Sequence, residues 1–232
     1  MTSTPETHPI GPLVDAHPAP RPAHVTLRGR AVTLVALDAA AHALDLYRGS
    51  HGDGRESVWT YLFNGPFADL AQFAGDVDAK AKAADPLYFA AIDNSTGKAV
   101  GYQSLMRIDP THRVVEVGGI MYTPEMQGTI GSTEAQYLFA RHVFDDLGYR
   151  RYEWKCNDLN APSKRAALRL GFSFEGVFRQ HMIVKSRNRD TAWFSMLDTE
   201  WPARRAAFER WLDPANFDAA GRQKISLTTL RS

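Results

Sequence analysis

VVEVGGIMYTPEMQGTIGST, Val114 to Thr133, decides the fold, because an apolar strand-like run enters a Gly/Ser/Thr loop that opens directly onto the helical pattern TEAQYLFARHVFDDLG. A helix N-terminus carries N–H groups with no intrahelical partner and the positive end of the macrodipole. Small residues there let a diphosphate approach the backbone without any lysine. Ser132 and Thr133 are the N-cap candidates, and Glu134 suits the first helical turn. In isolation the same letters would describe an ordinary strand–turn–helix corner, so the surroundings decide.

Upstream, RAVTLVAL suits a strand, and LDAAAHALDLYRGS suits a helix begun at Asp38 and stopped by Gly49; Gly65 to Ala84 reads as a second helix. LYFAAID and KAVGYQSLMRID are strand-like runs joined by Asn94-Ser95-Thr96-Gly97, whose turn chemistry predicts a hairpin. Downstream, the helix from about Thr133 ends before Gly148, and YRRYEWKC forms the next strand. NAPSKRAALRLG then reads as a helix with Asn160 as N-cap, Pro162 in the first turn and Gly171 as the stop. FSFEGVFRQHMIVK and TAWFSMLD finish the pattern as antiparallel strands. The domain organisation expected is a flexible Pro-rich arm over residues 1–25 that adds little to the core, one domain over 26–200, and a helix and tail over 201–232. Trp201 and Trp211 are expected to pack that tail on the body.

Composition sets outer limits. At 232 residues, 44% hydrophobic and 23% charged, the chain has material for one sizeable core. A net charge of +1 gives no basic excess, so a nucleic-acid partner is not expected. Cys156 is the only cysteine and the eight histidines are scattered, which leaves no disulfide framework and no metal-ligand spacing; no metal is expected. No stretch has the length and apolarity of a membrane span or a signal sequence, so a cytoplasmic location without a membrane partner is expected.

Three pieces in this order, IMYTPEMQGTIGSTEA, RRYEWKCND and NAPSKRAALRLGF followed by FEG, make the chain from about Leu27 to Asp198 resemble the GCN5-related N-acetyltransferases. Within them it is most similar to the branch acting on ribosomal-protein N-termini and small amines. The resemblance implies an α/β (α+β) fold with a mixed, largely antiparallel central sheet whose strands splay and are flanked by helices. It implies acetyl-CoA as cosubstrate, and direct transfer to a primary amine on a protein N-terminus or a small amine or aminoacyl compound, through a ternary complex. The family's loop usually runs Gln/Arg-x-x-Gly-x-Gly/Ala; aligned on Gln127, this chain has Ile130 and Ser132 at the small positions and keeps Gly128 and Gly131 instead. Because backbone amides make such a site, the substitution is compatible with it.

Carried onto this sequence, the resemblance puts the pyrophosphate over Gln127, Gly128, Thr129, Ile130, Gly131, Ser132 and Thr133, and pantetheine along the strand ending at Ile120, Met121 and Tyr122. An N–H near Ile120 or Met121 would face the thioester oxygen, and Gly118-Gly119 marks either a bulge there or a packing device. Glu116 is the candidate base, since an amine nucleophile must be neutral and a carboxylate in an apolar strand needs a purpose or a partner; it could equally face water. Asn160 and Ser163 start the next helix, where the family places groups against pantetheine and the departing sulfur; Ser163 is the candidate proton donor, with plain capping as the alternative. Arg165, with Lys164 and Arg169, offers a basic helix face for the 3′-phosphate, or a solvated surface. His181 and the run Trp59, Tyr61, Phe63 are candidates for the acceptor wall, or for core. Cys156 lacks the partners of a nucleophile, so no covalent enzyme intermediate is expected. The Pro-rich arm and the apolar strand FSFEGVFRQHMIVK suggest a homodimer through strand edges. A non-catalytic acyl-CoA-binding module that recruits a protein partner is the alternative function.

Overall fold

The computed structural model describes residues 8–52 and 54–231. Eight strands form one open sheet in the order β1-β2-β3-β4-β5-β6-β8-β7. They are β1 (Leu27–Arg28), β2 (Val32–Ala36), β3 (Leu87–Asp93), β4 (Ala99–Asp109), β5 (Val114–Tyr122), β6 (Arg151–Asn157), β7 (Ser173–Val184) and β8 (Arg187–Leu197). Every neighbouring pair is antiparallel except β5 and β6, which run parallel. This is the mixed, mainly antiparallel sheet flanked by helices that the sequence implied.

Helices cover both faces. On one lie α1 (Ala39–Ser50) and α2 (Leu70–Ala81), which with Trp59, Tyr88, Tyr102 and Met121 bury one core cluster. On the other lie α3 (Ile130–Arg141), α4 (Ala161–Leu170) and α5 (Trp201–Leu212), and the short α6 (Leu227–Leu230) closes the tail. The larger cluster sits there, with Leu34, Phe89, Leu105, Val115, Val117, Tyr152 and Phe194 fully or almost fully buried. Trp201 and Trp211 pack into it as expected.

Several boundaries differ from expectation for local reasons. Asp38 caps α1 through Ala41 N at 2.8 Å, but the helix runs on to Ser50. Gly49 serves contact instead: a Cβ there would sit 2.5 Å from the Thr123 side chain. The second helix starts at Leu70, not Gly65, because Pro66 cannot extend it and Asp69 supplies the cap to Gln72 N. The cap of α3 is Thr129, three residues before Ser132 and four before Thr133, the expected caps; its backbone is extended and its Oγ1 accepts from Ser132 N at 3.2 Å. Glu134 is likewise not a first-turn surface residue. Its buried carboxylate accepts from the N–H groups of Arg30, Ala31 and Val32, at 2.8, 2.6 and 3.0 Å, and ties α3 to the β1–β2 turn. The arm is described from His8, and its first seven residues lie outside the described residues. It adds more to the core than expected: Ala19 is buried, its N–H donates to Pro110 O, and the His24 ring meets Tyr88 O.

Candidate active site

The cleft begins where two strands part. β5 and β6 pair only from Val114–Arg151 to Val117–Trp154, after which β5 stays with β4 and β6 stays with β8. The parting opens a cavity of about 1730 Å³ that runs from the α3 and α4 N-termini past Glu116 to the β7–β8 hairpin. That is larger than a drug-sized ligand fills, and it suits two substrates meeting end to end.

A bulge shapes the middle of the cleft. Tyr102 pairs with Met121 and Ser104 with Gly118, so β5 carries one residue more than β4 between them. Gly119 has φ +57° there, and a Cβ on it would stand 2.8 Å from Tyr88 Oη; one on Gly118 would collide with Met106 Sδ. Gly119 is therefore favoured by its left-handed backbone in the bulge as well as by crowding. The extra residue also reverses the alternation of faces. Val115 and Val117 pack on the α3 side, and after the bulge Ile120 and Tyr122 do so, while Met121 turns to the α1–α2 core. Met121 is thus absent from the cavity lining, unlike Ile120 and Tyr122, which is a correction to its expected place beside the cofactor.

The cofactor-side arm is made mostly of backbone. Gln127, Gly128, Thr129, Ile130, Gly131, Ser132 and Thr133 all line it. Gly128 has φ +72° with open space around it, and a Cβ on Gly131 would meet nothing nearer than 3.6 Å. Beneath them, Gln136 Nε2 donates to Tyr122 Oη and to Gln103 Oε1, each at 2.8 Å, and Tyr122 Oη donates to Gln103. This buried network ties the first turns of α3 to β4 and β5. It also occupies the Tyr122 phenol, which burial pushes far up. On the facing wall Asn160 caps α4 through Ser163 N at 3.1 Å, and Ser163 Oγ accepts from Trp154 Nε1 at 3.0 Å.

The basic face of α4 divides. Arg169 Nη1 donates to Thr133 Oγ1 at 3.0 Å and its guanidinium lies 4.9 Å from the Trp211 ring, inside the cavity. Lys164 pairs with Asp158. Arg165 is a correction: it is exposed and faces a separate shallow groove with Arg204 and Arg231, because the tail draws only Arg169 inward over Trp211. Burial pushes the Cys156 thiol up, which keeps it protonated.

The acceptor-side arm is made of charged side chains. Glu116 is buried, and two cations meet its Oε2: Lys155 Nζ at 2.8 Å and Arg107 Nε at 3.1 Å. Lys155 Nζ also reaches Glu153 at 2.6 Å and lies 3.8 Å from the centre of the Trp193 ring. Arg151 continues the chain from Glu153 to Glu175. The hydrogen bond from Lys155 goes to Oε2, and Glu116 Oε1 stands 3.3 Å from where a Cβ on Gly118 would be. Burial raises the Glu116 pKa, with Lys155 and Arg107 opposing it. The roof is formed by contacts between distant segments: Lys185 Nζ donates to Trp59 O at 2.9 Å, and the Arg189 guanidinium lies 4.9 Å from the Phe63 ring. Tyr61, Phe63 and His181 line the space, whereas Trp59 is core. Lys155, Arg107 and Arg189 were missed in the sequence. The period-2 spacing of Arg151, Glu153 and Lys155 on one strand face was the available signal.

The acetyltransferase (GNAT) domain family matches residues 32–173. The chain belongs to the GCN5-related N-acetyltransferase family. A solved GCN5-related N-acetyltransferase from Brucella melitensis is 50% identical, with a TM-score of 0.92 over 94% of this chain and 98% of that one. A probable acetyltransferase (GNAT family) from Chromobacterium violaceum ATCC 12472 is 38% identical, with a TM-score of 0.78 over 86% of this chain and 100% of that one. The microcin C7 self immunity acetyltransferase MccE, solved in complex with acetyl-CoA and AMP, shares the fold at 19% identity and a TM-score of 0.64, over 73% of this chain and 93% of that one. No curated protein matches the chain. Membership makes this chain an acetyltransferase of the GNAT type. No described helix is long and apolar enough to cross a membrane, and no group of three or more His, Cys, Asp or Glu among the described residues could hold a metal.

Proposed function

We propose that this GNAT enzyme transfers acetyl directly from acetyl-CoA to a primary amine, with Glu116 taking the amine proton. The observation that carries the reading is the place of the Glu116 carboxylate: it is buried in the cleft on the last paired stretch of β5 and β6, the shortest contacts of both cations are to Oε2, and Oε1 lies on the Gly118 side. A carboxylate whose pKa is raised by burial accepts a proton more readily than an exposed one, and the amine must lose its proton to attack.

The residues fit acetyl-CoA by an independent test. The α3 N-terminus ends in a left-handed Gly128 and an uncrowded Gly131, as close approach of a diphosphate requires. Gln127 to Thr133 would hold the pyrophosphate, Ile120 to Tyr122 and Asn160 the pantetheine, and Arg169, in place of Arg165, the 3′-phosphate. When bound, acetyl-CoA supplies an acyl group activated as a thioester. Ser163 Oγ accepts from Trp154 and its hydroxyl interacts with the Cys156 thiol beside it, so the hydroxyl remains a donor that could turn to the sulfur that leaves. The acceptor is a protein N-terminus or a small amine or aminoacyl compound.

Thiol release from acetyl-CoA with peptide N-termini, polyamines, amino-acid amides and aminoacyl nucleotides, with products read by mass spectrometry, tests this. Acetylated amine in step with thiol is the expected result; no product from any acceptor class overturns the reading. A homodimer through strand edges is proposed as well, supported by the outer strand β7, where Phe174, Phe178 and Ile183 are exposed. Light scattering is expected to give twice the chain mass.

A further inference from the structure

The acceptor arm contains a cation without a counter-charge. Arg189 is only 7% exposed, its Nε donates to Thr191 Oγ1 at 3.2 Å, and no carboxylate among the described residues pairs with it. The other cations of this arm are satisfied: Lys155 sits between Glu116 and Glu153, and Arg107 rests on Glu116. Burying a guanidinium this way is unfavourable unless a ligand brings the missing charge. Arg189, Thr191 and His181 all line the cavity, and the His181 ring meets Thr191 Oγ1 at 3.0 Å. Burial and the surrounding cations Arg107, Arg189 and Lys155 hold His181 below the usual histidine range, so it stays a neutral hydrogen-bonding group near pH 7.

We propose that Arg189, with Thr191 and His181, is an anion subsite, and that the natural acceptor is a primary amine carrying a carboxylate or phosphate. The inference rests on the acetyl-transfer reading and names its substrate class. A guanidinium fork matches both anions in two-point contact. Glu116, near enough to influence Arg189 electrostatically, gives the opposite pole. An acceptor that is positive at one end and negative at the other would enter with its amine towards Gly118 and its anion towards the β7–β8 hairpin. A polyamine would meet three cations.

Paired acceptors test the subsite. Wild-type enzyme is assayed with amino acids against the matching amino-acid amides, and with O-phosphoethanolamine against ethanolamine. The expected result is at least a tenfold higher kcat/KM for the anionic member of one pair, and the pair identifies carboxylate or phosphate as the source. In Arg189→Gln that ratio should fall towards one, and Arg189→Lys should restore part of it. Equal rates within both pairs, or an undiminished ratio in Arg189→Gln, overturn the proposal. Acetyl-CoA binding by calorimetry shows that each variant is folded. Should no acceptor react, the acetyl-transfer reading fails by itself, and the subsite is judged by inorganic phosphate added to CoA-saturated protein, whose diphosphate site is already filled. Phosphate should then raise the Tm of wild type and not of Arg189→Gln; equal shifts overturn the subsite.

Discussion

The two arms of the cleft solve the same problem, holding charge in a half-buried space, with different materials. The cofactor-side arm uses backbone: the N-terminus of α3, a left-handed glycine and a bulge, steadied by the Gln103–Tyr122–Gln136 network. The acceptor-side arm uses side chains: Glu116, Lys155, Glu153, Arg107 and Arg189, drawn from β4, β5, β6 and β8. Backbone donors survive changes of side chain, which is why Ile130 and Ser132 can stand where relatives have small residues. A side-chain network has no such tolerance, and its charges must balance locally. On the proposed reading, one arm recognises acetyl-CoA and the other the acceptor.

If that division is right, the largest effect follows from the acceptor-side carboxylate. Glu116→Gln should lower kcat near pH 7 by at least about a hundredfold, the scale of general-base catalysis, with acetyl-CoA affinity unchanged. Raising the pH should restore part of the rate, because more of the amine is then already neutral. Wild-type turnover in the folded variant across that pH range would assign Glu116 to structure alone.

The backbone arm is probed next. Gly128→Val must adopt a φ of +72° that β-branched residues resist, and Gly131→Val places bulk over the α3 N-terminus. Each should raise the acetyl-CoA Kd at least about tenfold, roughly 1.4 kcal/mol, by calorimetry. Acceptor KM should hardly move. Unchanged binding in both would remove the cradle.

A smaller effect tests where the arms end. Arg169→Met should weaken CoA several-fold and leave 3′-dephospho-CoA nearly unaffected, since the loss is confined to one phosphate contact on a partly exposed residue. Equal weakening of both would make Arg169 a packing partner of Trp211.

Legibility in the sequence divides along the same line. The strand, loop and helix from Val114 onward are local, and their period and turn residues carried the succession of elements and most of the loop, while the parting of strands came only with the family resemblance. Residues whose role depends on distant partners were not legible. Glu134 reads as a first-turn acid, yet it accepts three N–H groups a hundred positions away. Arg165 and Arg169 lie four apart on one face of α4, and only packing of Arg169 over Trp211 of α5 separates them. Met121 is placed by the resemblance through its backbone N–H, and the bulge that turns its side chain to the α1–α2 core breaks the two-residue alternation that would have located it. Arg189 gave no local sign, because its meaning is the absence of a partner in three dimensions.

The smallest effect concerns the balance within the acceptor arm. Burial raises the Glu116 pKa, and Lys155 and Arg107 oppose it by favouring the carboxylate. Activity needs the ionised form, so the acidic limb of the kcat profile should lie above the ordinary glutamate range, with the rate falling as pH drops through it. Arg107→Met removes one opposing cation, so the Glu116 pKa rises further and the limb moves to higher pH. The shift should be small, because the Arg107 side chain is 44% exposed and solvent screens its charge. For Glu116 itself, a pKa raised on folding means stability that is full below the unfolded pKa and is lost as pH rises through the folded one; Arg107 offsets part of that loss only while the carboxylate is ionised, so Arg107→Met should cost stability at pH 7 and progressively less in acid. A limb that stays in place, with the same loss of Tm at both pH values, would show that Arg107 packs against the cleft without tuning Glu116.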